Sequence, residues 1–243
     1  MPPGLENYWN LMAAPLFRVK TLGSLILNSG CSSVADLGCG NGRFLVELRR
    51  LGFRGRQLGV DLSPGRVSEN EKLLPLIEWR AANLDVPQEW PQASGSCFDA
   101  VVASELIEHL ENPAAMLANA ASLAVPGRGL LLLSTQSGPI GATERFVGHH
   151  RHFAPGEIDM LLRSTGWDPV RIWNTGFPFH DLSKWFASLR PAGMIDRFSN
   201  RSYGRAERLV CWALRVLFRL NSETRGAQLF AVARRSAAGA LGG

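Results

Sequence analysis

A glycine-rich loop carries the densest chemistry in this 243-residue chain. The segment VADLGCGNGRF places Gly38, Gly40 and Gly42 directly after a short apolar stretch. Glycine lets the backbone approach a ligand closely, and the free N–H groups of a following helix can bind polar atoms. Asp36 lies just before the loop, where its carboxylate would repel a pyrophosphate and attract an ammonium group. The segment therefore predicts a site for a ligand that bears a positive charge.

A second acidic residue follows in a position typical of ribose recognition. Asp61 ends the segment QLGVD, which reads as the next strand along the chain. A carboxylate at that point can accept hydrogen bonds from both hydroxyls of a ribose. The glycine spacing is G-x-G-x-G, whereas dinucleotide-binding loops have G-x-G-x-x-G. A loop with an ammonium partner and a ribose partner fits S-adenosylmethionine better than NAD.

The elements that must hold these residues alternate between strands and helices. Ser63-Pro64 and Asn112-Pro113 each open a predicted helix, because a polar cap before a proline is typical of a helix start. Such alternation predicts an α/β fold in which helices cover both faces of a parallel sheet. The predicted strands cover residues 33–37, 57–61, 77–82, 98–103, 129–134, 170–173 and 228–233, and an N-terminal helix is predicted before them over residues 8–29.

Composition narrows the class of protein and its compartment. The 26 basic residues exceed the 21 acidic ones, and 23 of the basic residues are arginine, a bias typical of genomic base composition. The four cysteines form no C-x-x-C pair, which favours a reduced cytosolic setting over a disulfide framework. No apolar run approaches the roughly 20 residues of a membrane-spanning helix. We expect a cytoplasmic protein with one domain over residues 1–235 and a disordered tail over 236–243.

Four segments together resemble a known family. They are VADLGCGNGRF, GVDLS, FDAVVASELIEHLENP and PGRGLLLLS, in that order between about residues 33 and 134. The chain resembles class I S-adenosylmethionine-dependent methyltransferases, of the broad group that includes the ubiquinone-biosynthesis O-methyltransferases. The resemblance implies a Rossmann-like, doubly wound sheet of seven mostly parallel strands whose last strand is antiparallel. Residues 228–233 can supply that strand, and residues 180–220 would form a helical insertion before it.

The resemblance also implies which residues bind the cofactor. The glycine loop would hold the methionine part, Asp61 the ribose, and Leu62 would pack on the adenine. Asn83-Leu84 stands where the family often has an acidic residue for the adenine amino group, and an Asn oxygen can accept the same hydrogen bond. Ser104 and Glu105 would face cofactor and substrate. The predicted cofactor-binding residues are Asp36, Gly38, Gly40, Asn41, Gly42, Asp61, Leu62, Asn83, Leu84, Ser104 and Glu105.

Histidines are the candidate bases for a methyl transfer, since a hydroxyl or amine acceptor must lose a proton. Three of the five histidines lie in the segment GHHRHF, within a predicted histidine loop over residues 137–154. Bacterial members of the family often have a similar stretch. One of His149, His150 and His152 could be the catalytic base, or the motif could shape the loop and cap the next helix. The sequence does not choose between them.

A metal site is a further possibility. On a helical turn, Glu105, Glu108 and His109 would share one face at spacing i, i+3, i+4, which is a workable ligand set. A related pattern, completed by a later histidine, binds a divalent metal in small-RNA 3′-end methyltransferases and some quinone O-methyltransferases. His149 or His150 could complete it here. Metal-independent relatives carry the same letters, so no metal is assigned.

A basic helix is predicted over residues 201–219. Its arginines fall on one side with Trp212, and Val210, Ala213, Leu214 and Leu217 fall opposite, as in an amphipathic surface helix. The helix would pack on the domain or contact the inner membrane surface and a lipid-linked substrate. The arginines are Arg201, Arg205, Arg208, Arg215 and Arg219.

The sequence predicts a methyltransferase that acts on an oxygen of a small or lipid-linked metabolite, with no DNA partner. Other acceptors remain open, namely RNA ends, nitrogen and carbon, as does a non-catalytic module that only binds the cofactor. An NAD(P) oxidoreductase is disfavoured, because neither Tyr8 nor Tyr203 begins a Y-x-x-x-K motif.

Overall fold

A computed structural model of the chain describes residues 10–90, 97–189, 193 and 203–237. Within them, seven strands form one sheet in the spatial order β3-β2-β1-β4-β5-β7-β6. The strands are β1 Ser33–Leu37, β2 Arg56–Asp61, β3 Glu78–Ala81, β4 Ala100–Ser104, β5 Leu130–Gln136, β6 Trp167–Thr175 and β7 Gln228–Arg235.

The pairing of the strands confirms the predicted architecture. The first five strands pair in parallel, and β7 lies antiparallel between β5 and β6. The chain therefore leaves β3 at one edge of the sheet and returns to its middle, where β4 pairs with β1. Ligands of open α/β sheets bind at such a switch point, beyond the carboxyl ends of the strands.

Helices cover both faces of this sheet. The helices are α1 Ala13–Asn28, α2 Arg43–Arg50, α3 Pro64–Leu73, α4 Pro113–Leu123, α5 Ala142–Phe146, α6 Pro155–Ser164, α7 Phe179–Leu189 and α8 Arg205–Leu217. Two 3-10 turns accompany them, Ile107–His109 and Phe218–Leu220. The predicted caps form, since Ser63 accepts from Arg66 N at 3.3 Å and Asn112 accepts from Ala115 N at 3.2 Å.

The leucine run of β5 shows how the two faces form separate cores. Leu131 and Leu133 pack in one cluster with side chains of α4 and α6. Leu132 packs in the other cluster, which contains side chains of α1 and α2. Successive strand residues point to opposite faces, and here both faces are apolar, so the run is almost continuously hydrophobic, as a doubly covered strand requires.

Several predicted boundaries differ from those observed. The N-terminal helix, predicted over 8–29, is described as α1 from Ala13, and its first predicted residues lie outside the described range. The sixth strand is longer than predicted, and the histidine loop contains the short helix α5. The insertion over 180–220 consists of α7 and α8 where it is described, and Arg201 and most of the predicted tail lie outside those residues. No helix in the described part of the chain is both long enough and apolar enough to cross a membrane.

Candidate functional site

The glycine loop between β1 and α2 has a backbone that only glycine adopts without strain. Gly38, Gly40 and Gly42 have φ angles of +70°, +54° and +71°, in the left-handed region that side chains disfavour. A Cβ on Gly42 would also meet the ring of Trp79. The φ angles disfavour a side chain at all three glycines, and the Trp79 ring leaves no space for one at Gly42. The loop therefore has the bare backbone that close approach to a ligand requires.

Asp61 and Asn70 hold this loop in place. Gly40 N donates to Asp61 Oδ2 at 2.9 Å, and Ser63 N donates to Asp61 Oδ1 at 3.0 Å. On the other side of the same glycine, Asn70 Nδ2 donates to Gly40 O at 2.9 Å. The carboxylate at the end of β2 therefore lies directly beside the glycine loop and fixes its shape.

A cavity of about 830 Å³ opens at the end of β1 and β4. Six of the predicted cofactor-binding residues line it, and α1 contributes Pro15, Arg18 and Val19. Its volume is in the range of small-molecule sites, roughly 300–1,000 Å³. The six predicted residues are Asp36, Gly38, Gly40, Asn41, Ser104 and Glu105.

The residues predicted to contact the adenine do not line this cavity. Leu62 is 66% exposed at the end of β2. Asn83 is exposed, and its Oδ1 already accepts from Asp85 N at 3.0 Å. Leu84 is 5% exposed and belongs to the core cluster that contains α4. Its side chain therefore fills the core instead of facing a ligand.

Asp36 is a buried acid of the cavity with a raised pKa. It is 3% exposed, and burial, followed by the nearby charge of Asp61, raises the pKa of Asp36 to about 8. Loss of hydration disfavours the charged carboxylate, and a like charge adds to the effect. A cationic group beside Asp36 would stabilise its ionised carboxylate and so oppose both effects on the pKa.

Glu105 has a fixed and ionised carboxylate. Its φ of +52° is the only left-handed value outside glycine in the described residues. Oε2 accepts from Gln136 Nε2 at 2.7 Å, Oε1 accepts from Gln228 Nε2 at 3.0 Å, and Arg18 Nη1 lies 3.7 Å away. Burial by itself would raise the pKa of Glu105, but Arg18 and the two glutamines outweigh it and lower this pKa.

The partners of Glu105 were not predicted from the sequence, and a further partner is Ser134, whose Oγ donates to Glu105 Oε1 at 3.2 Å. Arg18 comes from α1, Gln136 from the end of β5 and Gln228 from the start of β7. One signal could have found the glutamines, since each is a polar residue at the end of a strand that contains an apolar run. Buried polar groups in such positions need partners, and they often mark a site.

The predicted face of Glu105, Glu108 and His109 does not form. Only residues 107–109 make a 3-10 turn, and Glu105 precedes it with its left-handed backbone and its side chain directed to the glutamines. Instead, one potential ligand atom each from Glu108, His109 and His149 lies within 4.8 Å of the others. Of the two histidines that could complete the predicted ligand set, His149 lies in this cluster, and Glu105 lies outside it.

The cluster of Glu108, His109 and His149 fits a divalent cation. Glu108 is fully buried; its Oε2 accepts from Thr135 Oγ1 at 2.8 Å, and no donor in the described residues reaches Oε1. His109 Nδ1 lies 3.1 Å from Gly148 O. A carbonyl oxygen only accepts, so Nδ1 carries the proton and Nε2 of His109 keeps a free lone pair. Histidines that ligate metals are commonly oriented in this way.

The same logic assigns the protons of the other histidines. His152 Nδ1 lies 3.0 Å from Gly138 O, and His152 Nε2 lies 3.1 Å from His149 Nδ1. His152 therefore donates to the carbonyl and accepts from His149, whose Nε2 remains a lone pair. Burial, then His109 and His152, lowers the pKa of His149 to about 4, so His149 is neutral near pH 7. His150 is exposed, and its backbone N donates to Glu108 O at 2.9 Å.

A second cavity of about 380 Å³ lies next to the histidines. Gly138, Glu144, Lys184 and Trp185 are among its lining residues. Lys184 Nζ lies 3.0 Å from Glu144 Oε1 and donates to Gln136 Oε1 at 2.6 Å. Because Gln136 also donates to Glu105, a continuous chain of polar contacts joins the second cavity to the first.

Comparisons with known proteins identify the family of this chain. A family model described as a methyltransferase domain matches residues 13–206. A ubiquinone biosynthesis O-methyltransferase of Cereibacter sphaeroides is 29% identical over 175 residues, which is 64% of this chain and 67% of the relative. A second, from Xanthomonas axonopodis pv. citri, is 29% identical over 149 residues, 55% of this chain and 61% of the relative.

A solved structure shares the fold. A Galdieria sulphuraria protein, assigned as a sarcosine dimethylglycine methyltransferase, superposes with a TM-score of 0.61 at 17% identity and covers 92% of this chain and 86% of its own. The family model covers most of the described residues, including the glycine loop, Glu105 and the histidines. The chain therefore belongs to the methyltransferase-domain family, as a class I S-adenosylmethionine-dependent methyltransferase.

Proposed function

We propose that the protein transfers a methyl group to an oxygen of a small or lipid-linked metabolite. The observation that carries this proposal is the similarity to ubiquinone biosynthesis O-methyltransferases over about two thirds of the chain. The neutral His149, whose Nε2 keeps a free lone pair close to the second cavity, supports it, since a hydroxyl acceptor must lose its proton.

Residues of the first cavity, with Asp61 and Leu62 beside its glycine loop, would position the cofactor. When bound, S-adenosylmethionine supplies a methyl group on a sulfonium, which is already activated for transfer. Asp36 would pair with the ammonium, Asp61 would accept from the ribose hydroxyls while it holds Gly40, and Leu62 would cover the adenine from outside. Glu105, held by its glutamines, would mark the boundary between cofactor and acceptor. The main contribution of such a site is alignment and exclusion of water.

The second cavity is the proposed acceptor site. Trp185 offers an aromatic wall, and Lys184 and Glu144 offer a donor and an acceptor for the polar groups of a ring. His149 and His152 lie on the side of Gly138. Both ring nitrogens of His152 are engaged, so Nε2 of His149 is the atom that could take the acceptor's proton when no cation occupies it. His150 is a weaker candidate, because its side chain is exposed.

A divalent cation is a finer part of the proposal. Glu108, His109 and His149 would hold it through one carboxylate oxygen and two Nε2 atoms. Such an ion would lower the pKa of an acceptor hydroxyl that it contacts. The unpaired buried oxygen of Glu108 and the orientation of both histidines support this arrangement.

Release of S-adenosylhomocysteine tests the methyl transfer. We would incubate the protein and S-adenosylmethionine with catechol, an alkyl-substituted catechol, an aromatic amine and a short single-stranded RNA. The proposal expects release with the catechols and a methoxy product by mass spectrometry. Release with the amine or the RNA alone would replace it with nitrogen or RNA methylation. Tight cofactor binding with no release from any acceptor would favour a non-catalytic module.

Cofactor affinity should depend on pH through Asp36. Below about pH 8 the Asp36 carboxyl is protonated in the free protein, and pairing with an ammonium requires the release of that proton. We expect the affinity for S-adenosylmethionine to rise by up to about tenfold per pH unit as the pH approaches 8. Above that pH it should fall, because the ligand's own amino group, with a pKa of about 8, loses its proton. Isothermal titration across this range measures both limbs.

Two controls isolate the carboxyl group of Asp36. The ligand 5′-methylthioadenosine lacks the amino group, so its affinity should show no rising limb. The variant Asp36→Asn should bind S-adenosylmethionine more weakly and without a rising limb. A wild-type affinity that stays level while the pH approaches 8 would contradict the pairing of Asp36 with the ammonium.

If Glu108, His109 and His149 hold a cation, replacing His149 should weaken Mn²⁺ binding and replacing the adjacent His150 should not. After treatment with a chelator, the wild-type protein and the exposed control His150→Ala should bind Mn²⁺ with the same affinity by isothermal titration. His149→Ala removes a ligand, so the loss should exceed the roughly 10–100-fold that removal of a supporting residue causes. Equal Mn²⁺ binding by all three proteins, or none by the wild type, would show that the histidines do not hold a cation.

A further inference from the structure

The outer face of α8 and the turn after it combines exposed apolar side chains with exposed arginines. When successive residues are placed 100° apart around the helix axis, the exposed side chains named below fall on one side of the helix. Cys211 and Phe218 point to the other side and are buried. The prediction that Val210 packs on the domain is wrong, since it is 47% exposed. The exposed apolar residues are Leu209, Trp212, Val216 and Leu220, and the exposed arginines are Arg205, Arg208, Arg215 and Arg219.

A basic groove adjoins this face. It has a volume of about 500 Å³ between α1, β6 and the end of α8. Its charged lining residues are Lys20, Arg171, Arg215 and Arg219 on the basic side and Glu223 on the acidic side. The groove is therefore strongly cationic, and it shares two arginines with the outer face of α8.

We propose that this face and groove dock the protein on a bilayer that contains anionic phospholipids. The groove would receive phosphate groups of the lipid heads, and the apolar side chains of α8 would enter between them. Helices that lie in a membrane interface have this composition, with arginine beside tryptophan and leucine. Each basic residue near an anionic surface adds to the attraction.

The side chains favour a lipid surface over RNA as the partner. RNA would use the arginines and could stack a base on Trp212. Three of the four exposed apolar side chains are aliphatic, Leu209, Val216 and Leu220, and these have no role against a phosphate backbone. Burial in the lipid interface accounts for the arginines and for the aliphatic residues together.

The position of α1 relates this surface to the cofactor cavity. Pro15, Arg18 and Val19 line the cofactor cavity, while Phe17 and Lys20 line the basic groove. One helix thus separates the two cavities. The docking proposal does not depend on the identity of the methyl acceptor, and its test requires no acceptor.

Co-sedimentation of the full chain with vesicles tests the docking surface. We expect binding to vesicles of phosphatidylcholine mixed with phosphatidylglycerol and little binding to phosphatidylcholine alone. Arg215→Glu with Arg219→Glu should weaken binding by about 30-fold or more, since each basic contact contributes roughly a fivefold gain. Leu209→Ser with Trp212→Ser should weaken binding and make the remainder more sensitive to salt, because only the electrostatic part is left.

A control pair separates this surface from general electrostatics. Arg50→Glu with Arg128→Glu changes the net charge equally on exposed side chains elsewhere, and it should leave vesicle binding essentially unchanged. An unaltered affinity for S-adenosylmethionine would show that each variant is folded. The proposal fails if the wild type ignores anionic vesicles, if the control pair weakens binding as much, or if a short RNA binds the same arginines and vesicles do not.

Discussion

The variant Asp61→Ala should bind S-adenosylmethionine about 100-fold or more weakly than the wild type. The carboxylate is expected to accept from two ribose hydroxyls, and each hydrogen bond to a charged group contributes about 1.5–3 kcal/mol. It also fixes Gly40 through the 2.9 Å bond to the backbone N. Both losses act in the same direction, which makes this one of the largest effects that the site predicts. Isothermal titration measures it directly.

A matched variant divides the two roles of Asp61. Asn70→Ala removes the hydrogen bond from Asn70 to Gly40 O and leaves the carboxylate of Asp61 in place. It therefore loosens the glycine loop but removes no hydrogen bond to the ribose. We expect it to cost about tenfold or less in affinity. If Asn70→Ala costs as much as Asp61→Ala, the effect arises from the shape of the loop, and the assignment of Asp61 to the ribose would be wrong.

Much of the fold was predictable because its signals are local. The segment over 33–37 is apolar and ends in glycine, and the structure has β1 at the same residues. The capped starts at Ser63 and Asn112 were equally readable. The antiparallel direction of the last strand came from the resemblance. The place of β7 between β5 and β6 was not predicted, since strand order depends on pairing between distant segments.

The site was predictable only where one segment builds it. The glycine loop and Asp61 belong to consecutive elements, and the structure places them in hydrogen-bond contact. The partners of Glu105 come from three distant elements, so no spacing along the chain indicates them. The interpretation of residues 105–109 as one helical turn was wrong for a related reason. Periodicity assumes a regular backbone, whereas Glu105 turns sharply at the end of β4, and its N donates to Ser134 O at 2.9 Å.

Removal of the negative charge of Glu105 should destabilise the protein by about 3 kcal/mol. In Glu105→Gln, Arg18 loses its charged partner although it is only 9% exposed. The new amide also keeps only one acceptor oxygen, so its NH2 group faces the N–H donor of either Gln136 or Gln228, which now donate to separate oxygens of the carboxylate. Breaking a buried ion pair from one side typically costs about 3–5 kcal/mol. Urea unfolding of the two proteins without cofactor gives the difference in the free energy of unfolding.

A double-mutant cycle with Arg18→Met then separates the ion pair from the hydrogen bonds. Arg18→Met alone should cost less than Glu105→Gln, because the carboxylate of Glu105 keeps the donors on Gln136 and Gln228. The double variant no longer buries an unpaired charge, so its cost should fall about 1–2 kcal/mol short of the sum of the single costs. Strict additivity would mean that the 3.7 Å contact between Arg18 and Glu105 carries no energy. In that case Gln136, Gln228 and the hydroxyl of Ser134 would hold Glu105 at the edge of the cofactor cavity without Arg18, and α1 would cover that cavity through apolar packing only.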